Sequence, residues 1–338
     1  MKGRVMMKAV IKGIGGIGRQ VIEMGAGKGV EFIAAVDQWD KLIGKPLSEL
    51  VDYKGRDIII EDDLNQAILR EKPDIVILTN ATKISDLEAD YLTCIDHQVD
   101  VITVSEDSYF WKFTDKERGQ AIHDKAQKAN VTIFATGIQD AFWNGIPHTL
   151  MSVMHDITEV NGITYGIMDA YGPAVIDGFG IGITLEEYEK RHQNSSEISK
   201  DAFSVALMAL IERLGLTVKS ASSKSEPVVS KEDIYHEITG RTIPAGDVVG
   251  SNDQTFVETE EGIHFSCQFI SRLSDSTIDT EEVRWEIKGT PNMSLVIEDL
   301  KGEYTTSAAL INRLPDIKDM PSGFVTVADV ENSSFFVE

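Results

Sequence analysis

Glycine recurs as Gly13-Ile14-Gly15-Gly16-Ile17-Gly18 at the end of a short apolar run, in G-x-G-x-x-G spacing. Each glycine in that spacing has a mechanical use: a tight turn, a close approach of backbone to a diphosphate, and close packing of a helix on a strand. The helix that starts here offers free backbone N–H groups and a partial positive charge to phosphate oxygens. A glycine-rich turn alone is weak evidence, but Asp37 follows Gly18 by 19 residues, where the next strand is expected to end. A carboxylate there can accept both ribose hydroxyls of an adenosine and repels a 2′-phosphate. No arginine occurs in Gln38-Trp39-Asp40-Lys41, so NAD is the favoured cofactor, with NADP still open. Asp37 as a mere strand terminator is the alternative, and the combined spacing favours dinucleotide binding.

Two further polar clusters fall at expected strand ends. Thr79-Asn80-Ala81-Thr82 would meet the nicotinamide half of the cofactor, although an ordinary polar loop would read the same way. Ser105-Glu106-Asp107 precedes the aromatic run Tyr109-Phe110-Trp111. A carboxylate beside the nicotinamide could serve as a general base if the aromatics desolvate it and raise its pKa toward neutrality. An acidic pair in a loop is also a common solvated surface feature, and spacing alone does not decide between the two. There is no HExxH, no G-x-S-x-G and no Walker lysine, and the seven histidines have no ligand spacing, so no metal site is expected.

These clusters need a scaffold that brings strand ends together. Short β-branched runs at Met6–Lys12, Phe32–Val36, Asp57–Glu61, Asp74–Asn80, Val99–Ser105 and Val131–Thr136 alternate with helical patterns at Ile17–Gly27, Asp63–Glu71, Ile84–His97 and Asp115–Asn130. That alternation implies a doubly wound parallel sheet of Rossmann type, α/β in class. Thr114 and Glu117 have capping-box spacing at the last helix. After about Pro147 the rhythm changes to a strand pattern at Val160–Met168, a glycine-rich stretch from Tyr171 to Gly182 and a long helix at Ile198–Leu214. Ser220–Ser225 reads as a mobile loop, and strands are expected at Gln254–Thr259, Ile263–Arg272, Glu282–Lys288 and Met293–Asp299. The second domain should therefore be α+β with an antiparallel or mixed sheet.

The bulk numbers set limits on function. A length of 338 residues suits two domains, and 42% apolar with 26% charged residues is ordinary globular usage. With 55 acidic against 32 basic residues the formal charge is -23, which argues against nucleic acid and anionic membranes as partners. Cys94 and Cys267 form no framework, and no apolar stretch reaches membrane-spanning length, so a cytoplasmic protein is expected.

Taken in order along the chain, these segments resemble the dihydrodipicolinate-reductase-like superfamily, and within it the 2,4-diaminopentanoate dehydrogenases and native amine dehydrogenases. The resemblance rests on Gly13–Gly18, Val36-Asp37 with Ile43-Gly44-Lys45, Ser105-Glu106, Thr136-Gly137 leading to Phe142, Ile287–Pro291, and Thr306–Gly323. It implies that Glu106 is the catalytic carboxylate near a substrate amine, in an oxidative deamination of a short diamino acid or amine. The leading reaction is 2,4-diaminopentanoate to 2-amino-4-oxopentanoate plus ammonia. It also implies a cofactor domain over 1–147, a substrate-binding and homodimer-forming domain over 148–307, and a final segment, 308–338, that returns to the first domain. Where family members often carry Asn-Pro-Gly-Phe, this chain has Gln139-Asp140-Ala141-Phe142, so Asp140, Phe142 and Asn144 become candidate substrate contacts. Asp140 could bind a second ammonium or cap its own loop. Other readings are a reductase of a different C=N or C=O substrate and a non-catalytic NAD(H) sensor. Arg241, Arg272, Arg284 and Arg313 have no assigned place.

Overall fold

The computed structural model describes residues 7–53, 55–170, 172–192 and 198–336. Met6, Tyr171 and the last two residues of the expected returning segment lie outside these. The chain forms two compact units, one comprising Met1–Gly145, Met208–Arg213 and Glu303–Glu338, the other Ile146–Leu207 and Leu214–Gly302.

The first half alternates as expected: β1 (Met7–Lys12), α1 (Gly16–Gly27), β2 (Val30–Val36), α2 (Leu64–Glu71), β3 (Ile75–Leu78), α3 (Ile84–Asp96), β4 (Asp100–Thr103), α4 (Glu106–Tyr109), α5 (Trp111–Thr114), α6 (Lys116–Ala129) and β5 (Thr132–Ala135). The second unit and the return follow: α7 (Ile146–Met151), β6 (Asp156–Ile167), α8 (Pro173–Gly178), α9 (Leu185–His192), α10 (Ala202–Arg213), β7 (Val218–Val229), β8 (Ile234–His236), β9 (Arg241–Ile243), β10 (Val248–Thr259), β11 (His264–Arg272), β12 (Glu282–Thr290), β13 (Met293–Glu298), α11 (Gly302–Arg313) and β14 (Gly323–Val325).

The first sheet has the order β14-β5-β4-β3-β1-β2, and every pairing is parallel. Its strands read as continuous apolar runs because helices cover both faces: Ala9, Ile11, Ile77 and Ile102 pack on one side, Val10, Val76, Val101 and Ile133 on the other. Chain order reverses direction at β1, so the crevice beyond the carboxyl ends of β1 and β3 is where this topology admits a ligand.

Three expectations need correction. Asp57–Glu61 is not a strand: it makes single bridges, Glu61 to Val36 and Ile59 to Pro46, because its hydrogen bonds are divided between β2 and the loop after Gly44. The cap of α6 is Asp115, whose carboxylate accepts from Arg118 N–H, while the Thr114 hydroxyl turns back to the Asp107 carbonyl. Ser220–Ser225 is no loop but the middle of β7, an edge strand paired along its length with β10. Serine and lysine suit such an edge, since one side of the strand has no partner to exclude water.

The second sheet, β13-β12-β6-β11-β10-β7, is mixed: β6 and β11 run parallel and the remaining pairs antiparallel. On its covered face Trp285 is fully buried and meets Phe203 edge-on at 5.7 Å, over Gly162, where a Cβ would stand 2.6 Å from the Phe203 ring. Among the described residues no helix is long and apolar enough to cross a membrane. Trp285→Ala is expected to cost about 3–5 kcal/mol in chemical denaturation. A loss under about 1 kcal/mol would show that this aromatic pair does not hold the second unit.

Candidate active site

The glycine loop is shaped by two close approaches and one opening. Gly13 has φ +101°, and a Cβ there would lie 2.7 Å from the Asn80 nitrogen, so β1 and β3 meet without room for a side chain. A Cβ on Gly18 would lie 1.9 Å from the Gly13 carbonyl oxygen. Gly15 differs: it is exposed, and nothing of the protein stands within 4 Å of where its Cβ would be. Internal packing explains Gly13 and Gly18, whereas the bare surface at Gly15 suits an external group that must touch backbone. α1 begins at Gly16 with no side-chain cap and no acidic residue in its own first turn, the Glu303 carboxylate standing 3.9 Å from where a Gly16 Cβ would be, and its N-terminal field favours an anion. The loop thus fits the diphosphate of a dinucleotide.

Asp37, half-buried after β2, accepts the Ile14 N–H at 2.6 Å through one oxygen and the Trp39 N–H at 2.8 Å through the other. These bonds fix the carboxylate against the glycine loop, and the oxygens keep further lone pairs for ribose hydroxyls. At the end of β3, Asn80 and Thr82 are exposed and Ala81 half-buried. The Asn80 amide donates to Asp90, whose other oxygen takes the Lys12 ammonium at 2.6 Å. Lys12 and Asp90 are both buried, an ion pair directly beneath the loop. Sequence reading missed it, because Lys12 sits in an apolar strand and its partner is 78 residues away.

Glu106 occupies the first helical position after β4, at the same carboxyl edge, and is exposed. Ser105 sets it there. Its hydroxyl donates to the Thr82 carbonyl at 2.6 Å and accepts the Ser108 N–H at 3.2 Å, and Asp107 N–H also reaches Thr82. Below, Ser108 hydrogen-bonds Tyr91, a phenol that burial pushes well up from its ordinary pKa. The aromatics expected around Glu106 instead face the core: Tyr109, Phe110 and Trp111 are buried, and Trp111 stacks on Phe324. The desolvating shell read from the sequence is therefore not formed by them.

The loop after β5 winds as a π-helix over Gln139–Gly145. Asp140 is buried, and both its oxygens are taken: Arg313 donates through Nε at 2.7 Å and Nη2 at 3.0 Å, and Thr136 adds its hydroxyl at 3.0 Å. Such a bidentate pair in the interior holds the loop to α11. Arg313 also pairs with Asp316 and lies over the Phe134 ring. Phe142 is half-buried, and Asn144 is fully buried with its carbonyl oxygen accepting from Arg213. The other unplaced arginines pair within the second unit, Arg241 with Asp177, Arg272 with Asp275 and Arg284 with Glu282. Arg213 escaped the sequence reading because it ends an apolar helix, where a basic residue is ordinary.

The carboxyl edge therefore brings together Gly13–Gly18, Asp37, Asn80–Thr82 and Glu106, all within the first unit, while Asp140 is buried against Arg313. Ser105→Ala deletes both a cap and a donor, and should lower stability by about 1–2 kcal/mol in thermal or chemical unfolding. An unchanged midpoint would show that Ser105 does not anchor the Glu106 turn.

Comparison with known proteins gives the chain its family. The family model described as the 2,4-diaminopentanoate dehydrogenase C-terminal domain matches residues 146–337, more than half of the chain. Over 331 residues the chain is 21% identical to the 2,4-diaminopentanoate dehydrogenase of Acetoanaerobium sticklandii, covering 96% of this chain and 93% of that one. The structure of an amine dehydrogenase from Mycobacterium smegmatis superposes with a TM-score of 0.86 at 27% identity, covering 97% of each chain. A dihydrodipicolinate reductase from Paenisporosarcina sp. TG-14 shares the fold at a TM-score of 0.52 and 12% identity, covering 97% of this chain and all of the other. The chain belongs to the 2,4-diaminopentanoate dehydrogenase family of oxidoreductases.

Proposed function

We propose that the protein catalyses nicotinamide-dependent oxidative deamination of a short diamino acid, with 2,4-diaminopentanoate converted to 2-amino-4-oxopentanoate and ammonia. The observation that carries this reading is the place of Glu106, an exposed carboxylate after β4 at the same carboxyl edge as the glycine loop after β1, with β3 between them, in a chain of this family. NAD is the expected cofactor, since Asp37 would face the adenosine ribose and repel a 2′-phosphate. When bound, the nicotinamide accepts the hydride released from the substrate's amine-bearing carbon.

The chain's own groups supply the rest. Backbone N–H groups at Gly15 and Gly16 would hold the diphosphate, and Asn80–Thr82 would border the nicotinamide. Glu106 takes a proton from the substrate ammonium, which leaves a neutral amine able to lose hydride. The carboxyl passes that proton to water, and the regained carboxylate charge offsets the iminium cation that forms at the carbon–nitrogen bond as hydride leaves. With Glu106 again ionised, it removes a proton from water as the oxygen adds to the iminium carbon, and collapse of that adduct expels ammonia and leaves the ketone. We further expect a homodimer through the second unit, on the sheet face where Phe256 and Val296 are exposed.

A spectrophotometric screen of NADH formation across amines, diamino acids and hydroxy acids should show turnover with amine substrates only, with release of ammonia. Glu106→Gln should lower kcat at least about a hundredfold, the usual contribution of an acid–base group, with NADH affinity unchanged. A loss under about tenfold would remove Glu106 from that role.

A further inference from the structure

We propose that Arg213 and Asn144 form an anion subsite that receives the substrate's carboxylate, so that the enzyme is built for amino acids rather than for simple amines. This rests on the amine-oxidation reading above and adds what holds the far end of the substrate.

Two features at the end of the π-helix point the same way. Arg213 is half-buried and donates only to neutral acceptors, Nη1 to the Asn144 carbonyl oxygen at 3.1 Å and Nη2 to the Val330 carbonyl at 3.2 Å. Among the described residues no carboxylate pairs with it, whereas Arg272 and Arg313, more deeply buried, each do. Burial pulls the Arg213 guanidinium below its ordinary pKa, the mark of a cation that has lost water. Tyr109, Asp140 and Glu331 lie close enough to be felt, but none of them pairs with it, and Arg313 and Thr136 already donate to both Asp140 oxygens.

Asn144 is fully buried, and having turned its oxygen to Arg213 it leaves its amide Nδ2 with no partner among the described residues. A buried amide donor and a partly desolvated guanidinium, side by side and both short of acceptors, are costly unless something anionic accepts from both. A carboxylate does so with its two oxygens, and the fork of arginine suits it geometrically.

The position also fits a short substrate. Asn144 lies on the loop after β5, with Arg213 reaching it from the end of α10, and Glu106 lies on the turn after the neighbouring β4. Tyr109, three residues beyond Glu106, donates its hydroxyl to the Gln139 carbonyl and so ties the two loops together. The loop that carries Asn144 and the turn that carries Glu106 thus follow neighbouring strands at the same carboxyl edge, the side on which a short substrate would meet both.

The test compares 2,4-diaminopentanoate with 2-aminopentane, which has no carboxylate, in the wild type, Arg213→Gln, Arg213→Lys and Asn144→Asp. The last places an internal carboxylate against Arg213. Arg213→Gln and Asn144→Asp are expected to raise KM for the diamino acid at least about thirtyfold more than for 2-aminopentane, the scale of one charge-assisted hydrogen bond. Arg213→Lys should fall between them and the wild type. Equal losses on both substrates, or no loss on either, would overturn the subsite. Should Arg213→Gln not fold, Asn144→Asp and Arg213→Lys carry the same comparison. If the wild type oxidises neither amine, the reaction assigned above is wrong, and calorimetry of 2,4-diaminopentanoate into the NADH-saturated protein decides the subsite. Heat present in the wild type and lost in Asn144→Asp supports it, while no heat in the wild type, or equal heat in both, overturns it.

Discussion

The positive end of α1, brought to the surface by a glycine-rich turn, is the constraint on which the rest of the first unit depends. Gly13 lets β1 touch β3, Gly18 lets α1 fold back on the turn, and neither tolerates a Cβ. Only with both contacts made does Gly15 stand bare at the start of the helix, with Asp37 pinned beside it through the Ile14 N–H. The buried Lys12–Asp90 pair beneath reaches Asn80 and so couples the glycine loop to the next strand end. A buried ion pair adds little net stability, so its value here is orientation.

Environment, more than residue type, separates the carboxylates of this edge. Asp140 is enclosed, bidentate to Arg313 and hydroxyl-bonded, which makes it a fastening for the π-helical loop. Glu106 is an exposed residue whose backbone is set by the Ser105 cap. A rigid base under a solvent-facing carboxyl is what proton exchange with an incoming amine requires.

Local signals carried most of this into the sequence. The parallel sheet was legible because its strands are apolar on both faces and its helices periodic, and the glycine loop because steric necessity leaves a fixed spacing. Signals failed where partners are distant or chemistry is shared. Nothing local marks Lys12 and Asp90 as a pair, or Arg313 as the partner of Asp140 across 173 residues. The serines of β7 read as a loop because an edge strand need not alternate apolar and polar residues. Tyr109–Trp111 looked like a lining for Glu106, yet a helical turn sends those rings into the core.

The central claim is that a pyridine dinucleotide lies against the first turn of α1. Isothermal calorimetry of the purified protein with NADH should give one saturable site per chain, with NADPH weaker because Asp37 opposes its extra phosphate. Absence of heat with both nucleotides, with no rise in melting temperature, would contradict the assignment of the glycine loop and everything built on it.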